Sequence, residues 1–136
     1  MERLQTYVES QVQVRYAETD AMGIVHHSSY VVWLEVGRTE LMRARGLSYR
    51  EFEERGLLIV LSDLQVRYHA PAKYDDTVTI HTSPSDVRSR QFSFDYVGSH
   101  AASGARLFSA RTTHMVIDRE TRRPVRLPEY LLELLG

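Results

Sequence analysis

Hydrophobic and polar residues alternate near the start of the chain and again, more regularly, in its second half. Val12, Val14 and Tyr16 against Gln11, Gln13 and Arg15 have the period of a half-buried strand, which predicts one over about residues 7–16. A turn-rich stretch follows, Ala17-Glu18-Thr19-Asp20-Ala21-Met22-Gly23, and from Ile24 to Arg45 the period of two is lost. Tyr30, Trp33, Leu34, Leu41 and Met42 recur at helical spacing instead. The first half of that helix, Tyr30-Val31-Val32-Trp33-Leu34, is apolar on nearly every face, so it is expected to be enclosed rather than laid on a surface. Gly37 in its interior costs about 1 kcal/mol relative to alanine, which close approach to a sheet would offset. Gly46 is a natural stop.

Ser48-Tyr49-Arg50-Glu51 has the spacing of a capping box and predicts a short second helix ending near Gly56. Strands are expected at about 57–70, 77–86, 90–100 and 104–118, most clearly where Phe92, Phe94 and Tyr96 alternate with Gln91, Ser93 and Asp95. Pro128 stands where the first turn of a terminal helix, Glu129 to Leu135, accepts a proline. The order is strand, long helix, short helix and four successive strands, with no βαβ repeat. That order predicts an α+β domain in which an antiparallel sheet of about five strands covers the apolar helix.

Composition narrows the function. A chain of 136 residues fits one domain spanning 1–136. It has no cysteine, which excludes thiol nucleophiles, CxxC redox motifs, cysteine-ligated zinc and iron–sulfur clusters. Lys+Arg 17 against Asp+Glu 18 leaves no basic excess, so nucleic acid is not an expected partner. Lys73 is the sole lysine, an arginine bias that base composition alone can produce. Met1 to Thr6 is polar with no apolar run behind it, and Leu57-Leu58-Ile59-Val60-Leu61 is far shorter than the roughly 18 residues of a membrane span. A soluble, cytoplasmic protein is expected.

Asp20 is the first candidate for chemistry. It lies in a turn before the enclosed helix, whose start offers free N–H groups and the positive end of a dipole. A carboxylate beside such donors suits acyl chemistry: the donors hold the carbonyl oxygen as charge develops, and the carboxylate attacks or activates water. The same residue before glycine also suits a turn or helix cap. His26 and His27 are adjacent and on a helix would point about 100° apart, so they do not share a metal easily. His69, His81, His100 and His114 are scattered, H-E-x-x-H is missing, and no metal is expected. No G-x-S-x-G, G-x-G-x-x-G or P-loop motif occurs. Glu35 and Arg38 have the spacing of a helical ion pair, while the apolar neighbours of Glu35 suggest partial burial and a secondary place in a site. Arg88 and Arg90 fall on one face of a predicted strand start, where they could bind phosphate or simply charge a strand edge.

Tyr16-Ala17-Glu18-Thr19-Asp20-Ala21-Met22-Gly23-Ile24-Val25-His26-His27-Ser28-Ser29-Tyr30 resembles the signature of hotdog-fold acyl-CoA thioesterases of the 4-hydroxybenzoyl-CoA thioesterase type, closest to the subgroup associated with the Tol-Pal system. Glu35 to Glu40, Tyr68 to Asp76 and Arg123 to Pro128 extend the resemblance over about residues 8–130. It implies a hotdog fold, a sheet wrapped around a long central helix. It also implies hydrolysis of a small-molecule acyl-CoA to free acid and coenzyme A, with no cofactor beyond the coenzyme A of the substrate.

In that reading Asp20 is nucleophile or general base, the backbone N–H of His27 polarises the carbonyl, and the side chains of His27 and Tyr16 orient substrate and carboxylate. Glu35, Arg88 and Arg90 are candidate substrate contacts, the arginines near where some relatives bind coenzyme A phosphates. Met22 replaces a small residue and His26 an aromatic one, so the acyl preference does not carry over. Family members form dimers with a continuous sheet, often tetramers, with the site between protomers. Two alternatives remain: a non-catalytic acyl-CoA-binding module, and a dehydratase acting on acyl-carrier-protein thioesters. The latter lacks support because no Pro-Gly follows His26 or His27.

Overall fold

The alternating segments become an antiparallel sheet, and the helical one lies across it. The structure is a computed structural model that describes residues 7–136; the polar Met1–Thr6 segment lies outside the described residues. The elements are β1 (Val8–Gln13), a 3-10 turn (Tyr16–Glu18), α1 (His27–Ala44), α2 (Tyr49–Glu54), β2 (Leu57–Tyr68), β3 (Thr77–Ser85), β4 (Gln91–His100), β5 (Arg106–Asp118), the two-residue β6 (Pro124–Val125) and α3 (Glu129–Leu135). The strands run β1-β3-β4-β5-β2, with β6 paired to β5, and every pairing is antiparallel. This is the expected α+β layout, and α3 has its expected bounds.

Side chains of α1 at helical spacing reach the sheet: Tyr30, Trp33, Leu34, Gly37, Leu41 and Met42 are buried. They meet Val78 and Ile80 of β3, Phe92, Phe94 and Tyr96 of β4, and Phe108 of β5 in one core. Gly37 sets the depth of that contact, because a Cβ there would collide with Thr82 Oγ1 on β3. The α2 start follows its sequence signal, with Ser48 Oγ accepting from Glu51 N–H at 3.1 Å.

Three expectations need correction. The first strand ends at Gln13, and Tyr16 opens a 3-10 turn instead. Glu18 closes that turn, since Arg15 N–H donates to Glu18 Oε1 at 2.9 Å and Glu18 N–H donates to Arg15 O at 3.0 Å. The fourth strand begins at Gln91, so Arg88 and Arg90 sit in the β3–β4 loop rather than on a strand face. Asp86 turns that loop at φ 45° and takes Arg88 Nε–H at 3.0 Å. Finally, α1 is enclosed on one side only: Val32 is 51% exposed, and Glu35 is exposed rather than partly buried. No helix among the described residues is long and apolar enough to cross a membrane.

Candidate active site

The segment between the 3-10 turn and α1 is a tight hairpin. Thr19 and Val25 form an antiparallel bridge, Asp20 N–H donates to Ile24 O at 2.8 Å, and Gly23 N–H returns to Asp20 O at 3.0 Å. Gly23 sits at φ +76°, a backbone conformation glycine adopts without a Cβ clash. Asp20 Oδ1 accepts from Met22 N–H at 2.8 Å and Ile24 N–H at 3.2 Å. Asp20 therefore caps this turn, not α1, whose N-cap is His26. These bonds use one carboxylate oxygen, the side chain is exposed, and Oδ2 is left for other work.

A second strip of chain holds the hairpin in place. Val25 N–H donates to Ala72 O at 3.0 Å, Tyr74 N–H to Gly23 O at 3.2 Å, and Ile24 bridges Lys73. Ala72 N–H in turn donates to the hydroxyl of Tyr30, one turn into α1, at 3.1 Å. The helix start is fixed from the other side by Glu18, whose carbonyl accepts His26 N–H at 2.9 Å.

The Glu18 carboxylate is buried, and its Oε2 accepts the Trp33 indole N–H at 2.9 Å. Burial alone would raise its pKa. The hydrogen bonds from Arg15 N–H, the Trp33 indole and the Arg15 side chain, with the Arg15 charge, outweigh burial and hold the carboxyl below its ordinary value. Glu18 thus ties the turn carrying Asp20 to the body of α1. Sequence reasoning placed it in the turn without a role; its one sequence signal is the three-residue spacing from Arg15.

The first N–H groups of α1, including that of His27, have no partner within the helix. His27, the first residue of α1, lines a cleft of about 260 Å³ with Ile24, Val25, Tyr30 and the Tyr68–Pro71 segment. The His27 ring stacks on Tyr68 with centroids 4.1 Å apart and planes 15° apart, and the Tyr68 hydroxyl donates to His27 O at 3.2 Å. Nothing in the sequence links these residues, which are 41 positions apart.

Tyr16 lies within the same loop system: its carbonyl accepts Thr19 Oγ1–H at 2.7 Å, and its ring, 78% exposed, meets Tyr74 edge to face. Tyr16, Asp20 and His27 therefore lie along one hydrogen-bonded stretch of chain, each side chain with its own partners: Tyr74, the Met22 and Ile24 N–H groups, and Tyr68. Glu35 lies apart from it, eight residues along α1 from His27, about 12 Å. Arg88 and Arg90 follow the far end of β3, whose length from Thr77 to Ser85 is about 26 Å.

A family model matches residues 14–135, nearly the whole chain. This chain belongs to the thioesterase-like superfamily. YneP of Bacillus subtilis, provisionally named an acyl-CoA thioesterase, is 35% identical over 117 residues, 86% of this chain and 84% of that protein. YbgC of Escherichia coli, an acyl-CoA thioester hydrolase, is 36% identical over 83 residues, 61% of this chain and 62% of YbgC. The crystal structure of a DHNA-CoA thioesterase from Staphylococcus aureus superposes with a TM-score of 0.87 at 28% identity, covering 93% of this chain and 85% of that one. The sheet and central helix of this thioesterase-like chain are the hotdog fold.

Proposed function

We propose that this chain is an acyl-CoA thioester hydrolase of the Tol-Pal-associated subgroup, releasing free acid and coenzyme A from a small-molecule acyl-CoA. The observation that carries the reading is the bonded hairpin of residues 19–25. It holds a carboxylate at one end, delivers the start of α1 at the other, and lies beside the cleft walled by His27 and Tyr68.

In this reading the thioester carbonyl oxygen accepts from His27 N–H, where the helix dipole favours the negative charge that develops during attack. Asp20 acts in one of two ways. As general base it takes a proton from water as the water oxygen bonds to the carbonyl carbon. The C–S bond then breaks, and the proton passes to the departing thiolate. As nucleophile its own oxygen bonds to the carbonyl carbon, the thiolate leaves, and water hydrolyses the mixed anhydride. The ring of His27, braced by Tyr68, and the ring of Tyr16 orient substrate and carboxylate.

The working unit we propose is a dimer, or a tetramer built from dimers. The outer edge of β2 has no neighbour in the described sheet, and Leu61 and Leu64 are 47% and 39% exposed. A long apolar edge invites pairing with a second copy, which would extend the sheet and cover part of the open side of α1. Glu35 and the Arg88–Arg90 pair would reach a substrate only across such an interface.

Replacing Asp20 by Asn tests the chemistry. Turnover, followed as release of coenzyme A thiol over aliphatic and aromatic acyl-CoAs, should fall on the order of 100-fold or more, while assembly measured by sedimentation is unchanged. His27→Ala should cost less, because the donor is backbone. Hydrolysis by Asp20→Asn at close to the unsubstituted rate would overturn the mechanism.

A further inference from the structure

Away from the Asp20 hairpin, α1, α2 and the first half of β2 enclose a second cleft of about 420 Å³. It lies eight residues along β2 from the first, about 26 Å away. Its apolar wall is Ile59 and Leu61, and its polar wall is Arg38, Tyr49 and His114. Arg38 is half-buried, and among the described residues it forms no ion pair with a carboxylate. Glu35, three residues before it, stays exposed at the mouth with Glu53.

The polar groups behind Arg38 are also short of partners. The Tyr49 hydroxyl is shielded from solvent without a well-formed hydrogen bond, as is Nδ1 of His114, a residue only 2% exposed. The other side of that histidine is satisfied: Nε2 lies 2.8 Å from Thr112 Oγ1, which lies 2.6 Å from the Tyr96 hydroxyl.

The field on this wall is that of Arg38. Burial is the main reason that the Tyr49 hydroxyl is pushed up to about 12, but Arg38 pulls it down more strongly than Glu35 pushes it up. Burial and then the Arg38 charge push His114 down to about 4, against a smaller pull from the Val60 backbone, so it is neutral at pH 7. A half-buried guanidinium without a counter-ion, next to a spare phenolic donor and an aliphatic wall, has the chemistry of a carboxylate receptor.

We propose that this cleft binds a carboxylate carried on a short apolar stem, with Arg38 as its counter-ion and the Tyr49 hydroxyl as its second donor. The stem lies along Ile59 and Leu61. The carboxylate can belong to a free organic acid or, since the two clefts of one chain lie too far apart for a short acyl group to span, to the far end of an acyl group held by the Asp20 site of a partner copy, an arm that rests on the proposed dimer. The cleft's existence does not depend on the Asp20 chemistry.

Titration calorimetry of the whole chain with butyrate, hexanoate and phenylacetate, each against its amide, tests the assignment. The acids should bind one per chain and the amides at least about 10-fold more weakly, as expected for loss of a charge-assisted bond. Arg38→Met should weaken acid binding by about 10-fold or more. Tyr49→Phe removes a hydroxyl with no well-formed bond to lose, so it should fold normally and still weaken acid binding several-fold. Hydrolysis of glutaryl-CoA against butyryl-CoA separates the two sources. A preference for glutaryl-CoA that disappears in Arg38→Met assigns the cleft to the far end of a substrate. An unchanged ratio with intact acid binding assigns it to a separate ligand. Equal affinity for acids and amides, no acid binding, or affinity that survives Arg38→Met overturns the proposal.

Discussion

Acidification should destabilise this protein before its carboxylates begin to protonate, and His114 is the reason. Its ring is buried between Phe92 and Phe94, with centroids 5.4 and 5.5 Å away, and it faces Arg38 of α1. Burial first and the Arg38 charge second push it from an ordinary 6.5 down to about 4. Between those values an unfolded chain holds a proton on His114 that the folded chain refuses, so stability falls as pH falls. The slope approaches 1.4 kcal/mol per pH unit, which makes the loss about 2 kcal/mol from pH 7 to pH 5 and about 3 kcal/mol by pH 4. That is a large part of the roughly 5–15 kcal/mol by which domains are stable.

Urea unfolding at fixed protein concentration measures the effect, with fluorescence of the single, buried Trp33 as the signal. His114→Phe places an apolar ring beside the same aromatic neighbours and removes the titration. Its stability should vary less over pH 7 to 5, by about 2 kcal/mol, than that of the unsubstituted protein. Identical slopes in the two proteins, or a flat profile in the unsubstituted one, would refute the reasoning.

The Glu18 carboxyl, held below its ordinary 4.5, acts in a lower window: its contribution is complete above that value and is lost as pH falls beneath it. Trp33→Phe withdraws a donor from that buried carboxylate and should cost about 1–3 kcal/mol; because Glu18 positions the turn and the helix start, kcat should fall more than KM rises. Thermal unfolding of Gly37→Ala should show a loss of about 1–3 kcal/mol from overpacking against Thr82, and equal or greater stability would mean that the helix has room to lift. Leu64→Lys on the β2 edge should shift sedimentation toward the monomer and lower turnover with it, whereas an unchanged assembly would place the interface elsewhere.

The sequence by itself determined the class and order of the elements, because periods of two and 3.6 are local properties that survive in any tertiary setting. Ser48 and the terminal helix after Pro128 could be read the same way, each depending on neighbours a few residues off. The hairpin with Asp20 could be recognised as a turn and, through its resemblance to a family motif, as a place for chemistry. Only the tertiary structure decided that Glu18 is the buried brace beneath this hairpin and that Tyr68 holds His27. Those facts rest on contacts between segments far apart in the chain, which no local pattern encodes. The same holds for Arg88 and Arg90, displaced into a loop because β4 begins at Gln91, and for His114. In the sequence it was one scattered histidine among several; in the fold it is neutral, buried and faced by an arginine from another element.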